Sequence, residues 1–452
     1  MDLANKSVLV LGLGLTGQSA ARFCGERGAR VTLADERPAE QIERLAELRS
    51  AVGIREVHVG VPFPDPSQYD ITVPSPGVPQ ARYRETARSA WGDIELAGRH
   101  LEVPMVAVTG TNGKSTTVRL IEALFRAGGR RAQAAGNVGT PVLSLVGAPL
   151  DVAVLEVSSF QLEATEDFRP HVSVILNITP DHLDRHGDLR GYITAKQRLL
   201  VNQKPEDVAV LSFDDDTVRA MAEHTHAEVV GFSVRGEPDT GSGRRAAWID
   251  TGAAVLRDGD QLARIDLTGC ALSGAHNQEN VLAALTAIWV AGVDPYAAAP
   301  ALADFNPLPH RSELISDALG LQWIDDSKAT NPGAAIRALE SLPGRVIWIA
   351  GGRGKGLSFE TLADRAAVST IRALLIGESA EEIEKALRDR VPCERAPDLE
   401  AAVRRAAEIG QPGETVLLAP GCSSLDQFSD FEERGRCFQQ AIRHLEGRRL
   451  QP

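Results

Sequence analysis

The sequence lacks any apolar run as long as the roughly 18 residues that a membrane-spanning helix needs. Its first residues lead directly into a strand-like segment, without the basic start and small-residue cleavage site of a signal peptide. The formal net charge of −13, from 48 basic and 61 acidic residues, argues against the basic surface typical of nucleic-acid binding. We therefore expect a soluble cytoplasmic protein with no membrane insertion and no nucleic-acid partner.

Cysteine is also scarce, with five residues in 452. They are Cys24, Cys270, Cys393, Cys422 and Cys437. The count is odd and no two form a CxxC pair, which indicates reduced thiols and not a disulfide framework or a zinc site. A chain of this length suggests about three domains at about 150 residues each.

Strand-like and helix-like segments alternate along the whole chain, which predicts parallel βαβ units. Prolines and turn residues place the domain boundaries near 100 and 308, giving domains 1–100, 101–308 and 309–452. The continuously apolar segment 7–11 predicts a buried strand, and the polar segment 235–247 predicts an exposed loop. We expect an α/β fold with Rossmann-like first and last domains and a mostly parallel central sheet.

The strongest motif is a glycine-rich loop between a predicted strand and helix. It consists of Gly110, Thr111, Asn112, Gly113, Lys114, Ser115 and Thr116. Such a loop points backbone N–H groups at phosphate oxygens, while the lysine reaches the outer phosphates and a hydroxyl group contacts Mg²⁺. The general pattern has a first glycine where this chain has Val108. The alternative is a tight turn with no ligand, but such a turn requires neither the lysine nor the hydroxyl groups.

A second glycine motif follows the first strand, as Gly12-x-Gly14-x-x-Gly17. Asp35 ends the next strand, 18 residues after Gly17. By itself, this spacing indicates either NAD binding or a plain tight turn. An NAD-dependent oxidoreductase would leave the phosphate loop unexplained, so the first domain could instead hold another nucleotide diphosphate.

Polar residues also follow several later strands. Glu156 ends one strand, and Asp181 and His182 follow the next. The carboxyl ends of parallel strands are where open α/β sheets bind ligands, and carboxylates suit Mg²⁺. In the last domain, the loops at 325–332, 351–356 and 420–426 should form one edge of a binding cleft.

Five blocks of the sequence, in chain order, resemble the Mur ligases and folylpolyglutamate synthases. They are the 110–116 loop, Glu156-Val157-Ser158-Ser159, Asp181-His182, and the pairs His276-Asn277 and His310-Arg311. The resemblance covers essentially the whole chain. Residues 11–17 and 424–428, with Phe431, look most like the member that adds D-glutamate to UDP-N-acetylmuramoyl-L-alanine in peptidoglycan synthesis.

The resemblance implies a binding role for each domain. For the UDP-substrate it implies Leu15, Thr16, Asp35, Glu36, Arg37, Gly77, Asn137, Ser158 and His182. For ATP it implies the 110–116 loop with Asn277, Arg311 and Asp326. For D-glutamate it implies Thr330, Lys355, Ser424, Leu425 and Phe431.

The resemblance also implies two Mg²⁺ ions and no NAD. Their ligands would be Ser115, Glu156, His182 and Lys196, the last only if it is carbamylated, as in the family. The implied catalytic residues are Lys114, His182, Lys196, Arg311 and Lys355. The implied reaction is ATP-dependent amide formation through an acyl phosphate, in a monomer. The alternatives are a sister ligase with another amino-acid acceptor, an NAD-dependent oxidoreductase, or a nucleotide-binding switch.

Overall fold

The computed structural model describes residues 2–137, 139–241, 244–272, 274–342 and 344–449. Three separate sheets lie in these residues, and helices alternate with most of their strands. The prediction of three α/β domains is confirmed. The exact domain boundaries at 100 and 308 stay a prediction.

The first sheet is parallel throughout, with the strand order β3-β2-β1-β4. Its strands are β1 (Ser7–Leu11), β2 (Arg30–Asp35), β3 (Ile54–Val59) and β4 (Ile71–Pro74). Its helices are α1 (Leu15–Glu26), α2 (Leu45–Arg49) and α3 (Asp93–His100). Strand β1 is apolar at every central position because both of its faces are covered: Val8 and Val10 join one core cluster, while Leu9 and Leu11 join another.

The second sheet has nine strands. They are β5 (Met105–Thr109), β6 (Ala132–Gly136), β7 (Val152–Glu156), β8 (Val172–Ile175), β9 (Val208–Ser212), β10 (Glu228–Ser233), β11 (Arg245–Asp250), β12 (Ala253–Asp258) and β13 (Gln261–Asp266). Their order is β13-β12-β11-β10-β9-β8-β5-β7-β6. The helices in this stretch of the chain are α4 (Lys114–Ala127), α5 (Ser159–Leu162), α6 (Leu183–His186), α7 (Leu189–Val201), α8 (Asp216–Ala220), α9 (Ala275–Val290) and α10 (Pro295–Ala298).

The third sheet has six strands. They are β14 (Glu313–Ser316), β15 (Gln322–Asp325), β16 (Val346–Gly351), β17 (Thr370–Ile376), β18 (Cys393–Arg395) and β19 (Thr415–Leu418). Their order is β14-β15-β19-β16-β17-β18. The helices are α11 (Pro332–Glu340), α12 (Glu360–Ser369), α13 (Ala380–Leu387), α14 (Leu399–Ile409) and α15 (Phe431–Arg449).

The structure adds detail to two sequence-based expectations. The central sheet is mostly parallel, as predicted, but β11 to β13 form an antiparallel meander, and β14 pairs antiparallel with β15; the alternation of strands and helices did not predict these antiparallel pairs. The predicted loop 235–247 ends earlier, because β11 begins at Arg245; residues 242–243 lie outside the described residues. The start of β11 was not predicted, because arginines and glycines precede its short alternating pattern.

The chain forms two compact units. The first comprises Met1–Ile178, Arg190–Ser273 and Asn277–Phe305, and the second comprises Thr179–Leu189, Gly274–His276 and Asn306–Pro452. The first unit therefore contains the first two sheets, and the second contains the third sheet. Among the described residues, no helix combines the length and the apolar character that crossing a membrane requires.

Candidate active site

The glycine-rich loop lies between β5 and α4, as the sequence predicts. Gly113 has a φ of +88°, and a Cβ at this residue would lie 2.3 Å from Oδ1 of Asn280. The position therefore requires glycine for both backbone conformation and space. Thr117 fixes the same turn, since its hydroxyl oxygen lies 3.0 Å from the carbonyl oxygen of Gly113 and 3.2 Å from Oδ1 of Asn280, and its single proton can be donated to either. Asn280 and Thr117 were not among the predicted residues.

Side chains from two neighbouring segments also hold this loop. The backbone N–H of Asn112 donates to Oδ1 of Asn177 at 3.0 Å, and Nδ2 of Asn177 donates back to the carbonyl oxygen of Asn112 at 3.1 Å. The ammonium group of Lys114 donates to the carbonyl oxygens of Gly110 and Thr111, at 3.0 and 2.8 Å. The loop is thus preorganised, with Lys114 at the start of α4.

Lys196 reaches the same loop from α7. Its side chain is buried, and Nζ donates to the carbonyl oxygen of Gly110 at 2.7 Å and lies 3.3 Å from Oγ1 of Thr109. The hydroxyl of Tyr192, one helical turn earlier, lies 3.1 Å from Oγ1 of Thr111. An ammonium group can only donate here, so Lys196 fits a metal-ligand role only in a carbamylated form.

Glu156 meets the requirements of a magnesium ligand. It ends β7, whose pairing with β5 sets Glu156 opposite Val108 at the edge that carries the loop. Its Oε1 accepts a hydrogen bond from Nδ2 of Asn137 at 2.9 Å, while Oε2 is buried with no hydrogen-bond partner in the described chain. An unpartnered buried carboxylate oxygen is costly unless a cation joins it. Ser115, which is also buried, adds a hydroxyl group in the first turn of α4. These two side chains fit Mg²⁺.

Ser158 belongs to a capping box at the start of α5. Its hydroxyl accepts from the backbone N–H of Gln161 at 3.2 Å, and Oε1 of Gln161 accepts from the backbone N–H of Ser158 at 3.0 Å. Nε2 of Gln161 in turn donates to the buried carboxyl group of Asp93 at 3.0 Å. Burial raises the pKa of Asp93 to about 6, although the bond from Gln161 opposes the shift. Asp93 and Gln161 were missed because a single buried polar pair leaves no periodic signal.

Asp35 lies at the carboxyl end of β2, but it is fully engaged within the protein. Oδ2 accepts from the backbone N–H of Leu13 at 2.7 Å, and the guanidinium group of Arg37 binds both carboxylate oxygens at 2.8 and 3.0 Å. Burial alone would raise the pKa of Asp35, but these hydrogen bonds outweigh it and hold the pKa below the usual value. Asp35 therefore shapes the glycine turn and positions Arg37.

The other residues predicted to bind the UDP-substrate surround that turn. Glu36 forms an ion pair with Arg82, and Leu15 leaves 75% of its surface exposed at the start of α1. Thr16 is half-buried beside it, and Gly77 is exposed in the turn after β4. The structure therefore brings these predicted residues to the carboxyl edge of the first sheet, where parallel sheets bind ligands.

In the second unit, Asp181 is the centre of a buried polar cluster. Oδ1 accepts from Nζ of Lys355 at 3.0 Å and from the backbone N–H of His182 at 2.9 Å. Oδ2 accepts from Nδ2 of Asn331 at 3.0 Å, and Asn331 also caps α11 through the backbone N–H of Ala334 at 2.8 Å. His182 has a φ of +54° and is half-buried. Lys355 and His182, both predicted site residues, thus share one carboxylate.

Three loops of the third sheet hold the residues predicted to bind D-glutamate, including Lys355 in the loop after β16. Thr330 precedes the cap of α11, Ser424 is buried in the loop after β19, and Leu425 beside it is 58% exposed. Phe431 begins α15, and the ammonium group of Lys328 lies 4.0 Å from the centre of its ring. These loops follow the ends of β15, β16 and β19, as the sequence predicts for one edge of a cleft.

Arg311 and Asp326 lie near each other in the same unit. Desolvation raises the pKa of the Asp326 carboxyl group to about 7, against the opposing charge of Arg311. The backbone N–H of Asp326 donates to the carbonyl oxygen of Leu418 at 2.8 Å, which fixes this loop to β19. Asn277, in the first unit, accepts a bond from Nδ2 of Asn280 at 3.3 Å.

Comparisons with known proteins agree with this arrangement. Three domain models match in succession: the Mur ligase MurD-like N-terminal domain at residues 6–94, the Mur ligase middle domain at 108–288, and the Mur ligase, glutamate ligase domain at 310–422. The UDP-N-acetylmuramoylalanine--D-glutamate ligase of Acidobacterium capsulatum is 39% identical, over 98% of this chain and 97% of its own. The chain belongs to the Mur ligase family.

Other relatives of this Mur ligase give the same result. A protein of the same name from Anaeromyxobacter dehalogenans is 41% identical and is covered over 97% of both chains. A pseudomurein peptide ligase type C from Methanothermus fervidus superposes with a TM-score of 0.62 at 18% identity, over 98% of this chain and 100% of its own. The MurF ligase from Thermotoga maritima in complex with ADP gives 0.60 at 19% identity, over 98% and 96%. At these identities the solved structures show the shared fold, and the predicted family and fold are confirmed.

Proposed function

We propose that this Mur ligase is an ATP-dependent enzyme that joins D-glutamate to UDP-N-acetylmuramoyl-L-alanine in peptidoglycan precursor synthesis. The observation that carries the proposal is the identity of 39–41% over nearly the full length with proteins named as that ligase. The preorganised phosphate loop and the free oxygen of Glu156 are consistent with it. In the implied reaction the L-alanine carboxylate attacks the γ-phosphate of ATP, which releases ADP and forms an acyl phosphate. The amine of D-glutamate then attacks the acyl carbon and displaces phosphate, forming the amide.

The first unit would bind ATP and the UDP-substrate. Loop N–H groups and Lys114 would hold the phosphates, since both lie at the N-terminus of α4, where anions are stabilised. Ser115 and Glu156 would hold Mg²⁺, which supplies positive charge to the phosphate oxygens when bound. The turn at residues 12–17, supported by Asp35, would hold the nucleotide diphosphate of the substrate. The engagement of Asp35 by Arg37 argues against a ribose contact of the NAD type.

The second unit would bind D-glutamate and complete the charge neutralisation. Lys355 would pair with a carboxylate of D-glutamate, with Thr330, Ser424, Leu425 and Phe431 in the pocket. Arg311 would contact the γ-phosphate, and Asp326 the adenosine. For Asn277, a residue of the first unit, the resemblance implies an adenosine contact as well. The main requirement of phosphoryl transfer is that positively charged groups lie close to the phosphate oxygens on which negative charge develops.

Several finer points of the proposal rest on the family resemblance. They are a second Mg²⁺ held by His182 and a carbamylated Lys196, a substrate contact of Asn137 and Ser158, and a monomeric state. The cytoplasmic location that we propose rests instead on the composition of the sequence. The buried position of Lys196 beneath the phosphate loop is compatible with a modified side chain near the phosphates.

The direct test is phosphate release from ATP with UDP-N-acetylmuramoyl-L-alanine, comparing D-glutamate, L-glutamate, other amino acids and no acceptor. We expect release that requires both substrates and the D enantiomer. Turnover with a different amino acid would assign the chain to a sister ligase. ATP hydrolysis that ignores every acceptor would indicate a nucleotide-binding switch, and a nicotinamide absorbance change without ATP consumption would indicate an oxidoreductase.

A further inference from the structure

His310 is held in a strained and crowded position. Its φ is +59°, its side chain is buried, and its backbone N–H donates to Oε2 of Glu313 at 2.9 Å. The ring packs on Gly435 in α15, where a Cβ would lie 2.1 Å from Nδ1. A positive φ is unfavourable for a non-glycine residue, and such strain persists only where surrounding contacts impose it.

The contact that imposes the strained backbone of His310 is the one with Asp325. Nδ1 of His310 lies 2.7 Å from Oδ2 of Asp325, a carboxylate with no exposed surface. The backbone N–H of Ser327 donates to Oδ1 at 2.9 Å, and Nε2 of Gln439 donates to Oδ2 at 3.1 Å. No lysine or arginine in the described chain donates to Asp325, so His310 is the group that can neutralise it through a hydrogen bond.

His310 and Asp325 each precede, in the sequence, a residue that the proposed function assigns to ATP binding. Arg311 follows His310, and Asp326 follows Asp325. A second link ties the segments, because the backbone N–H of Lys328 donates to the carbonyl oxygen of His310 at 3.1 Å. A displacement of His310 would therefore move both of the following residues at once.

From this geometry we propose that His310 and Asp325 form a positioning pair that sets the distance between Arg311 and Asp326 for a bound nucleoside triphosphate. This inference rests on the proposed function. The pair acts through its neighbours and does not itself touch the substrate. His310, Asp325 and Glu313 also lie close enough to share a cation, within 4.8 Å, but the ring nitrogen and both carboxylates are already engaged in the hydrogen bonds described above.

The charges around the ring predict a pH dependence. The hydrogen bond from His310 to Asp325 raises the pKa of His310; burial opposes the shift, and Glu313 and Glu432 add to it. Arg311 and Asp326 on the adjoining segments and Arg434 on α15 are the other charged groups facing this region. The imidazolium–carboxylate attraction is therefore complete below the usual histidine pKa and is lost as the pH rises through the raised value. Nucleotide affinity should weaken over that upper range.

The test uses the full chain and a non-hydrolysable ATP analogue with Mg²⁺, titrated by calorimetry without the other substrates. H310A removes the donor, whereas H310N keeps an N–H group that can reach Asp325 but does not titrate. We expect H310A to weaken analogue binding by about 10-fold or more, as for a lost charged hydrogen bond, and to leave the KM for D-glutamate within about 3-fold. At neutral pH, H310N should bind the analogue like the wild type. Its affinity should not fall as the pH rises, because asparagine does not titrate.

The matched control is H58A, since His58 forms an exposed pair with Glu56 in the first sheet and should change nothing. The inference is overturned if H310A binds the analogue like the wild type, or if H310N retains the alkaline weakening. It is also overturned if H310A raises the KM for D-glutamate as much as it weakens nucleotide binding. That result would indicate that the substitution disturbs the whole unit and not the nucleotide contacts in particular. If H310A does not fold, the pH profiles of H310N and the wild type decide. An analogue that does not bind the wild type would overturn the proposed function as well.

Discussion

The ammonium nitrogen of Lys355 lies 3.0 Å from Oδ1 of Asp181, and Nδ2 of Asn331 lies 3.0 Å from the other carboxylate oxygen. Asp181 is thereby held between the loop that carries Lys355 and the N-terminus of α11. Because an ammonium group has three donors, Lys355 can keep this bond and still bind a second carboxylate. The pair therefore directs Lys355 for the D-glutamate role that we propose.

Replacing Lys355 with methionine should impair D-glutamate binding more than ATP binding. We expect the KM for D-glutamate to rise by about 10- to 100-fold, the range for a lost charged hydrogen bond. The control is Lys385→Met, because Lys385 forms an exposed pair with Glu381 on α13. Steady-state kinetics with each substrate varied would check this, and an equal rise in both KM values would contradict the role.

Replacing Glu156 with glutamine should strongly reduce activity without loss of stability. Glutamine keeps the bond to Nδ2 of Asn137, but it removes the charge on the unpartnered oxygen. We expect turnover to fall by about 100-fold or more and the Mg²⁺ requirement to rise, while the melting temperature stays equal or increases.

The contrasting variant is Glu122→Gln. Glu122 is similarly buried but is bonded to Arg119, Arg126 and the backbone N–H of Ala134. The Glu122→Gln substitution should therefore lower the melting temperature and leave the Mg²⁺ dependence of activity unchanged. Magnesium titrations and thermal unfolding of both proteins would separate the two roles. Equal Mg²⁺ dependence in Glu156→Gln and the wild type would exclude Glu156 as a ligand.

Replacing Asp93 with asparagine should remove a pH dependence of stability. The folded-state pKa of about 6 exceeds the ordinary value of 3.8, so folding favours the protonated carboxyl group. Its contribution is complete below pH 3.8 and is lost as the pH rises to about 6. Asp93→Asn can still accept from Gln161, so we expect it to be more stable than the wild type above pH 6, by up to about 3 kcal/mol.

Urea unfolding at several pH values would measure this difference. The control is Asp151→Asn, for which the pH dependence of stability should have the opposite sign, because the bonds from Arg131 lower the pKa of Asp151 to about 2. Its stabilising contribution is present at neutral pH and is lost in acid. If the advantage of Asp93→Asn did not grow between pH 4 and 6, the raised pKa would be wrong.

Replacing Gly113 with alanine should damage the phosphate loop selectively. The added Cβ would lie 2.3 Å from Oδ1 of Asn280, at a φ of +88°. We expect the thermal stabilisation by ATP and Mg²⁺ to disappear, since the N–H groups of the loop would move. Gly129 is the matched control: it also has a positive φ, of +79°, but nothing lies within 4 Å of an added Cβ. An ATP-induced shift that persists in Gly113→Ala would contradict the assignment.

Local sequence patterns predicted much of the fold. The continuously apolar segment 7–11 was predicted as a buried strand, and β1 has the same bounds, because burial on both faces leaves a recognisable composition. The antiparallel strands β11 to β13 were not predicted, since their short alternating segments lie among arginines and glycines. The family was predicted from contiguous motifs and is confirmed.

The sequence by itself determined the phosphate loop, the family and the types of residue available at each strand end, because these depend on neighbours along the chain. Tertiary structure decided which of those residues meet. The pairing of Lys355 with Asp181 joins positions 174 residues apart, and that of His310 with Asp325 depends on a glycine at 435. Such contacts follow from how the chain packs in three dimensions, and no short sequence window contains all of the residues that each arrangement needs.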